Sequence, residues 1–507
     1  MTIALSLAAL VSCNSKHWVG SWATALQVAE PHNCPPEPGL EGNSIRQIVE
    51  LSVGGDCLRV KLSNEFGTEP VEIEAASIAP ALSAGGSPDI DEAASAILSF
   101  GGEVSVVIAP GELVVSDPVK MKLQPRADLA ITLQLGKASS TVVTSHPGSR
   151  TTSYIAKGHT NDFSAAVRTD HWYIINAVEV LSDAQAIVIL GDSITDGRGS
   201  THNVQNRWSD NLSRLLLSNG TTSSLSVLNM GVGGGCVLRG GLGVPATLRY
   251  PRDLFGQEGV GYIILYEGVN DILGSFNPEK TARDIIDFYT SLTAEAHIRG
   301  IKVLGATIAP FMGNGPATPE REQGRLLLNE WILSCSDLDG VVDFASAVCS
   351  PGDPSVLDER YLYENDYLHL NADGYKVMGE VAYESVLRLF EKREARQVSA
   401  ATLQVGAQPT PAEISLSGRM LWFPEGGYVI KAVPELASAD FSALTALLPV
   451  DAGGSGEIRV TKGPFAVSVS PRGIDLSMED AASLERAAQI LGQLVRGASI
   501  AEVKLKD

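Results

Sequence analysis

A continuous apolar run, Ala186 to Leu190, ends at Gly191-Asp192-Ser193 and limits the fold of this chain more than any other feature. A strand that is apolar at successive positions is buried on both faces, which is typical of a parallel sheet in an α/β domain. Four more such runs lie at Leu225 to Leu228, Tyr262 to Tyr266, Val303 to Ile308 and Val341 to Phe344. Helical patterns lie at Arg207 to Ser218, Thr281 to His297, Glu322 to Ser334 and Ala372 to Lys392. This alternation predicts a doubly wound α/β domain over residues 183–395.

Residues 18–182 have the pattern of a different fold. Ile45 to Val53 and the alternating segment Cys57 to Ser63 flank the turn Gly54-Gly55-Asp56, which predicts a β-hairpin. Further short β-type runs lie at Val104 to Ile108, Leu113 to Val115, Leu129 to Leu135 and Trp172 to Val180. Strands of this kind, with no long amphipathic helix between them, predict an N-terminal β-sandwich.

The C-terminal part of the chain predicts a third, smaller unit. A charged and proline-containing stretch at 396–411 is interpreted as a linker, and residues 412–507 as a small α+β domain. A helix is expected from Asp480 to Val495, because its apolar residues form one stripe. Strands are expected at Ile458 to Val460, Phe465 to Val469, Ile474 to Leu476 and Ile500 to Leu505.

The net charge of −21 narrows the class of partner. An acidic surface repels phosphate backbones, so no nucleic acid is expected, and anionic membrane surfaces are disfavoured for the same reason. A neutral substrate, such as an acylated sugar, is compatible with this charge. The oligomeric state is not fixed by any feature of the sequence.

The cysteines do not form a metal site. There are 6, none of them in a CxxC pair, so the spacing of zinc ligands is absent and no metal is expected. Cys34 with Cys57, and Cys335 with Cys349, are candidate disulfides in an exported protein, and buried free thiols are an equally open alternative.

The first residues, 1–17, are interpreted as an export segment. Ile3 to Val11 is apolar but too short to span a bilayer, and it is typical of a signal peptide core. Leu10-Val11-Ser12-Cys13 resembles a bacterial lipobox, in which the cysteine is acylated. We therefore expect export to the periplasm, the outer membrane or the exterior of a bacterium, with membrane attachment only through lipidated Cys13.

Four short motifs lie where the apolar runs end, and together they indicate nucleophilic catalysis. Ser193 follows the first run, the glycine-rich segment around Gly234 follows the second, and Asn270 follows the third. Asp366 precedes His369 by three residues, a spacing that lets the carboxylate reach Nδ1 and leaves Nε2 free to accept a serine proton. Each motif alone has a structural explanation, such as a helix cap or a turn. Ligands of open α/β sheets bind beyond the carboxyl ends of the strands, where all of these residues are expected.

With these residues the chain resembles the SGNH or GDSL-type serine esterases, whose four blocks carry Ser, Gly, Asn and His. The resemblance implies a flavodoxin-like, three-layer hydrolase domain with a parallel sheet. It also implies Ser193 as nucleophile, His369 as base, Asp366 as its orienting carboxylate, and an oxyanion hole made by Ser193, Gly234 and Asn270. No metal or organic cofactor is required by such a mechanism.

Further segments, including Trp18 to Ala23 and Asn64 to Gly67, resemble a branch of putative esterases from xylanase gene clusters. The branch implies deacetylation of O-acetylated carbohydrates. A lipid or lysophospholipid esterase and a non-catalytic carbohydrate-binding surface protein are the alternatives. Residues 412–507 resemble the small domain that precedes the barrel in β-hexosaminidases, and no glycosidase activity is implied because the barrel is absent.

Overall fold

The computed structural model describes residues 16–401 and, beyond them, 413–422, 428–432, 456–462, 466–470, 473–478, 495–496 and 499–506. Contacts within the chain divide it into two compact units, Met1–Leu387 and Arg388–Asp507. The boundary predicted between residues 182 and 183 therefore lies inside the first unit. Among the described residues, no helix is both long and apolar enough to cross a membrane.

The N-terminal part of the first unit consists of β-strands in three antiparallel sheets. The strands are β1 (His17–Ala23), β2 (Gln27–Val28), β3 (Ser44–Glu50), β4 (Gly55–Ser63), β5 (Val71–Pro80), β6 (Ala96–Leu98), β7 (Val106–Ile108), β8 (Leu113–Val115), β9 (Val119–Leu123), β10 (Asp128–Leu135), β11 (Thr144–His146), β12 (Ser153–Ala156), β13 (Val167–Thr169), β14 (Trp172–Tyr173) and β15 (Ile175–Ser182). Their orders are β1-β15-β4-β8 with β9 on β4, β13-β12-β3-β10-β5-β6 with β7 on β5, and β14-β11-β2. The prediction of β structure is confirmed here, and the sandwich packing of the sheets stays a prediction.

The hairpin predicted between residues 45 and 63 is wrong. Strand β3 pairs with β10 and β12, whereas β4 pairs with β15, so the two strands belong to different sheets. The connection is held by distant segments, since Leu51 N donates to Ala127 O at 3.0 Å and Ser52 N to Ser21 O at 2.8 Å. Alternation determines which face of a strand is buried, but it does not determine the partner strand.

A second strand prediction differs at one residue. The run from Trp172 to Val180 is divided into β14 and β15 by Ile174, whose φ of 69° lies in the left-handed region. Ile174 N donates to Thr144 O at 3.0 Å, and Ser63 N donates to Ile174 O at 2.7 Å. These bonds fix the bend that transfers the chain from the three-stranded sheet to the sheet of β15.

The remainder of the first unit alternates strands and helices. The strands are β16 (Gln185–Gly191), β17 (Leu225–Gly231), β18 (Val260–Tyr266), β19 (Lys302–Ala306), β20 (Gly340–Val342), β21 (Cys349–Ser350) and β22 (Asp353–Leu357). The helices are α1 (Ser193–Asp196), α2 (Trp208–Ser218), α3 (Ala246–Tyr250), α4 (Val269–Leu273), α5 (Pro278–Ile298), α6 (Pro319–Ser334), α7 (Phe344–Val348) and α8 (Ala372–Ala401). A π-helical turn at Pro251–Phe255 follows α3.

Five of these strands form the predicted parallel sheet, in the order β17-β16-β18-β19-β20. This is the flavodoxin-like order 2-1-3-4-5, and it confirms the doubly wound α/β fold predicted for this region. Strands β17 and β18 lie on opposite sides of β16, so the order reverses at β16. The crevice at such a reversal is the usual ligand site of an open α/β sheet, and Ser193 lies there.

The β-rich region covers the exposed edge of the parallel sheet. β17 is an edge strand, and Thr24 forms a parallel bridge with Asn229 at its side. Ser226 Oγ lies 2.8 Å from Ser52 Oγ, and both side chains are buried. An uncovered edge strand exposes unpaired backbone groups, and here the N-terminal strands supply the cover. The two regions are therefore one packed unit.

Beyond the end of α8, the second unit is described through its strands. They are β23 (Glu413–Trp422), β24 (Tyr428–Ala432), β25 (Gly456–Lys462), β26 (Ala466–Ser470), β27 (Gly473–Met478), β28 (Val495–Arg496) and β29 (Ser499–Lys506), in the order β23-β29-β26-β27-β25-β24 with β28 on β29. All four predicted strands are present. The helix predicted from Asp480 lies outside the described residues, except that Val495 begins a strand. Helix α8 continues to Ala401, so the predicted linker begins inside a helix.

The cysteines of the described residues are free thiols. Neither Cys34 with Cys57 nor Cys335 with Cys349 forms a disulfide there. Cys13 lies outside the described residues, so its lipidation stays a prediction.

A half-buried acidic pair lies where β3 meets α2. Glu50 and Asp210 line a small internal cavity of about 50 Å³, and Arg126 Nη2 lies 2.6 Å from Glu50 Oε2. Burial raises the pKa of Glu50 to about 7; the negative charge of Asp210 adds to this rise and Arg126 opposes it. The folded protein therefore holds a proton on Glu50 at pH values where the unfolded chain has released it.

We predict that this proton makes stability depend on pH. The unfolded carboxyl titrates near 4.5 and the folded one near 7, so the free energy of unfolding falls as pH rises through that window, by on the order of 2 kcal/mol. Glu50→Gln should flatten the dependence between pH 5 and about pH 8, measured by urea unfolding. Glu112→Gln, at an exposed position, is the control. An unchanged slope in Glu50→Gln would contradict the prediction.

Candidate active site

Ser193 is held in a tight turn between β16 and α1. Asp192 caps the helix, since its Oδ1 accepts from Ile194 N at 2.9 Å. Gly191 has no room for a side chain, because a Cβ there would lie 2.2 Å from Thr195 Oγ1. As the first residue of α1, Ser193 has a backbone N–H without an acceptor in its own helix. The turn therefore presents both the hydroxyl and a free N–H at the end of the sheet.

Asp192 itself is positioned for structure. It is buried, and burial raises its pKa to about 8, with the hydrogen bond from Ile194 N opposing the rise. Its contact is with the backbone of the turn, so it orders the turn.

The structure brings Ser193, His369 and Asp366 together in one hydrogen-bonded chain. Ser193 Oγ lies 2.8 Å from His369 Nε2, and His369 Nδ1 lies 2.5 Å from Asp366 Oδ2. Asp366 Oδ1 accepts from the backbone N–H groups of Leu368 and His369 at 2.9 and 2.8 Å. The three-residue spacing thus closes a local turn in which one carboxylate orients both backbone and ring. A carboxylate at Nδ1 assigns the proton to that nitrogen and leaves Nε2 as acceptor.

Asp366 is kept ionised by these contacts. Burial would raise its pKa, but the hydrogen bonds from the His369 ring and from two backbone N–H groups outweigh burial and hold the pKa below its usual range. Positive φ angles near 50° occur on both sides of Asp366, at Glu364, Asn365 and Tyr367. This run of left-handed backbone folds the loop so that Asp366 faces the histidine.

Gly234 and Asn270 line the same cavity as Ser193 and His369. Gly234 has a φ of +66°, which favours glycine, and Gly233 lies on the same wall. Asn270 Nδ2 donates to Gly235 O at 2.8 Å, which anchors the amide and uses one of its two hydrogens.

Asp271 fixes the loop that carries these glycines. Its carboxylate accepts from Val237 N at 2.7 Å and from Leu238 N at 3.0 Å. Burial raises the pKa of Asp271, and the two backbone hydrogen bonds oppose the rise. Asp271 faces the loop backbone, so its contacts are structural.

The cavity has a volume of about 390 Å³, and nine of its seventeen lining residues come from the β-rich region. These nine are Gln27, Glu30, His32, Asn33, His146, Pro147, Gly148, Arg150 and His171. Sequence reasoning gave no substrate-binding residues and missed all of them. Their positions in sequence show no fixed spacing, and they meet only because the strands around them pair.

Asp196 connects this wall to the nucleophile's helix. Its buried carboxylate accepts from His146 Nε2 at 2.9 Å and from Arg150 Nη2 at 3.3 Å. His146 Nδ1 lies 2.8 Å from Ala25 O. Both ring nitrogens of His146 therefore face oxygen atoms of the protein, which fixes the orientation of the ring. Burial would raise the pKa of Asp196, but Arg150 and His146 outweigh burial and lower it.

Residues 189–377 match the model of the GDSL-like Lipase/Acylhydrolase family. The matched span contains Ser193, Asn270, Asp366 and His369. The chain thus carries an acylhydrolase domain of this type and is a carboxylic ester hydrolase.

Two solved structures are similar to part of the chain. A protein of the lipolytic G-D-S-L family from Desulfitobacterium hafniense is 23% identical with a TM-score of 0.30, over 39% of this chain and 98% of that one. A carbohydrate acetylesterase family member from Sinorhizobium meliloti is 18% identical with a TM-score of 0.31, over 41% of this chain and 98% of that one. No curated protein matches the sequence.

We predict that His146→Leu destabilises the first unit by about 3 kcal/mol, because it removes one partner of a buried carboxylate. His159→Leu is the matched control, since His159 is partly exposed and its side chain contacts Leu135 O and Glu74. Denaturant unfolding followed by tryptophan fluorescence would measure both variants. Equal midpoints for the two would contradict the role of His146.

Proposed function

We propose that this carboxylic ester hydrolase removes acetyl groups from O-acetylated carbohydrates through an acyl-enzyme on Ser193. The observation that carries the proposal is the hydrogen-bonded chain from Ser193 Oγ through His369 to Asp366, at the end of β16. A serine hydroxyl 2.8 Å from an imidazole nitrogen is placed for proton transfer during attack.

In the first half of the reaction, Ser193 Oγ attacks the ester carbonyl while His369 Nε2 accepts its proton. The Asp366 carboxylate stabilises the imidazolium that forms, and it does not take the proton itself. The tetrahedral intermediate places a negative charge on the former carbonyl oxygen. We assign the donors for this oxyanion to the N–H groups of Ser193 and Gly234 and to the remaining amide hydrogen of Asn270.

The first half ends when His369 donates this proton to the leaving alcohol, whose bond to the carbonyl carbon breaks and leaves the acyl-enzyme. In the second half, a water molecule attacks the acyl-enzyme while the same nitrogen accepts its proton. His369 then returns that proton to Ser193 Oγ as the bond between Ser193 and the acyl carbon breaks and the acid is released. Every proton in this cycle passes through His369 Nε2, so the chain's own residues supply the acid–base chemistry.

The lining of the cavity supports a sugar as the alcohol. Nine of its seventeen lining residues carry amide, imidazole or guanidinium groups, and Leu242 and Pro147 are the apolar side chains among the seventeen. Polar groups at fixed positions match the hydroxyls of a carbohydrate. A long acyl chain would need an extended apolar surface, so the lining disfavours a lipid or lysophospholipid substrate. The expected export, with Cys13 as a lipid anchor, would place the enzyme where polysaccharides are met.

A non-catalytic carbohydrate-binding protein is the alternative from another class. It would need no proton-transfer geometry, whereas Ser193 and His369 are almost fully buried and aligned. That alignment favours the esterase.

We predict that Ser193→Ala lowers ester hydrolysis by at least about 10³-fold without unfolding the protein, because the nucleophile is removed. Acetate release from acetylated xylan and from an aryl acetate would measure the effect. Ser218→Ala, at the exposed end of α2, is the control. Wild-type rates in Ser193→Ala would exclude the proposed nucleophile, and loss of activity in both variants would point to folding.

We predict that Asn270→Ala lowers kcat by about 10²–10³-fold with a smaller change in KM, because an oxyanion donor acts mainly in the transition state. Steady-state kinetics with the aryl acetate would separate the two constants, and circular dichroism would verify the fold. A change confined to KM would assign Asn270 to substrate binding.

A further inference from the structure

The acceptors of the active-site cavity are already occupied by the protein. Glu30 and Asp196 are its carboxylates. Glu30 accepts from Gln27 Nε2 at 2.7 Å and from Asn33 Nδ2 at 2.8 Å, one bond on each oxygen. Asp196 likewise uses one oxygen for His146 and the other for a guanidinium. Both carboxylates of the cavity are therefore already hydrogen-bonded to protein side chains before a ligand enters.

The charged donors of the cavity are, by contrast, largely unused. Arg198 is exposed, and its guanidinium forms no hydrogen bond or ion pair with any described residue. Arg150 donates from Nη2 to Asp196 at 3.3 Å, while its buried Nε has no partner within the described structure. Arg150 also has a φ of +50°, an uncommon conformation that costs energy and is concentrated at functional sites.

Both arginines are fixed to the helix of the nucleophile. Arg198 N donates to Ser193 O at 3.0 Å, directly after the turn that ends α1. Arg150 reaches α1 through Asp196. A group bound by these guanidinium ions is therefore held near the helix that begins with Ser193.

Two histidines of this wall, His171 and His32, have ring nitrogens that a ligand could contact. His171 Nδ1 donates to Pro147 O at 2.6 Å, and burial lowers the pKa of His171, so its Nε2 is an acceptor suited to a hydroxyl. His32 is exposed, and its ring has no hydrogen bond to a described residue. Of the two arginines that line the cavity, Arg150 is paired with Asp196, whereas Arg198 has no carboxylate partner among the described residues, in a protein whose net charge is −21.

We infer that the cavity binds a sugar acid, with the carboxylate of the substrate held by Arg198 and Arg150 while its O-acetyl group faces Ser193. A planar carboxylate fits the fork of a guanidinium through two parallel hydrogen bonds. The inference rests on the proposed deacetylase function and narrows its substrate to acetylated glycans that contain uronic acid residues.

The test is a comparison of ligands that differ at one carbon. Calorimetric titration of the full chain with galacturonate and with galactose compares a carboxylate with a hydroxymethyl group in the same ring. We expect the dissociation constant for galacturonate to be lower by about ten-fold or more, as for one charge-assisted hydrogen bond. Galactose 6-phosphate distinguishes a phosphate site, and tighter binding of it than of galacturonate would overturn the assignment.

Two variants test whether Arg198 causes the difference in affinity between the two sugars. Arg198→Gln should reduce the ratio of the dissociation constant for galactose to that for galacturonate by about ten-fold. Arg283→Gln, on the exposed face of α5, should leave this ratio unchanged. Equal affinity for the two sugars in the wild type, absence of galacturonate binding, or an unchanged ratio in Arg198→Gln would each overturn the inference. Binding needs no hydrolysis, so failure of the esterase proposal would show separately, as wild-type protein inactive on aryl acetates.

Discussion

The buried carboxylate of Asp196 is the interaction on which the active site depends. It belongs to the four-residue helix that begins with Ser193, and its partners, His146 and Arg150, belong to the β-rich region. A buried charge without partners would cost several kcal/mol, so the helix and the β-rich region can be stable only in this relative position. The backbone of the same residue is held as well, because Arg207 Nε donates to Asp196 O at 3.1 Å. The position of Ser193 thus depends on residues that are distant in sequence.

A second buried charge fixes the other side of the turn. Arg249 Nη2 donates to Gly191 O and to Glu267, and its Nη1 donates to Met230 O and to Asp253. These partners include the ends of β16 and β17 and the residue after β18, so one guanidinium joins three neighbouring strand ends. Removing a cation from water is costly, and two carboxylates with two carbonyls offset that cost. Strand ends held in this way keep the loops of the oxyanion donors at a constant distance from the serine.

How much of the fold and of the candidate site could be predicted from the sequence depends on whether the contacts that determine each feature are local in sequence. Asp366 and His369 are three residues apart and meet within one loop, so their spacing alone predicted the contact. The apolar runs predicted the parallel strands for a similar reason, because the residues of each strand alone indicate that the strand is buried on both faces. The pairing of β3 with β4 was predicted wrongly, because the actual partner strands, such as β10 and β15, are determined by packing across the whole β-rich region. His146 and Arg150 carried no local signal, and only the fold places them beside Asp196.

The β-rich region therefore does more than cover an edge of the sheet. Gln27, His146 and the residues beside His171 belong to one small sheet, in which Ser145 pairs with both Gln27 and Tyr173. Backbone pairing restricts each strand, so the cavity wall is formed before a substrate arrives, and little entropy is lost in arranging it. In the proposed reaction, the α/β region supplies the reacting groups, which any ester would engage. The wall then supplies the positions that distinguish one alcohol from another, and on this proposal substrate choice should follow changes in the β-rich region.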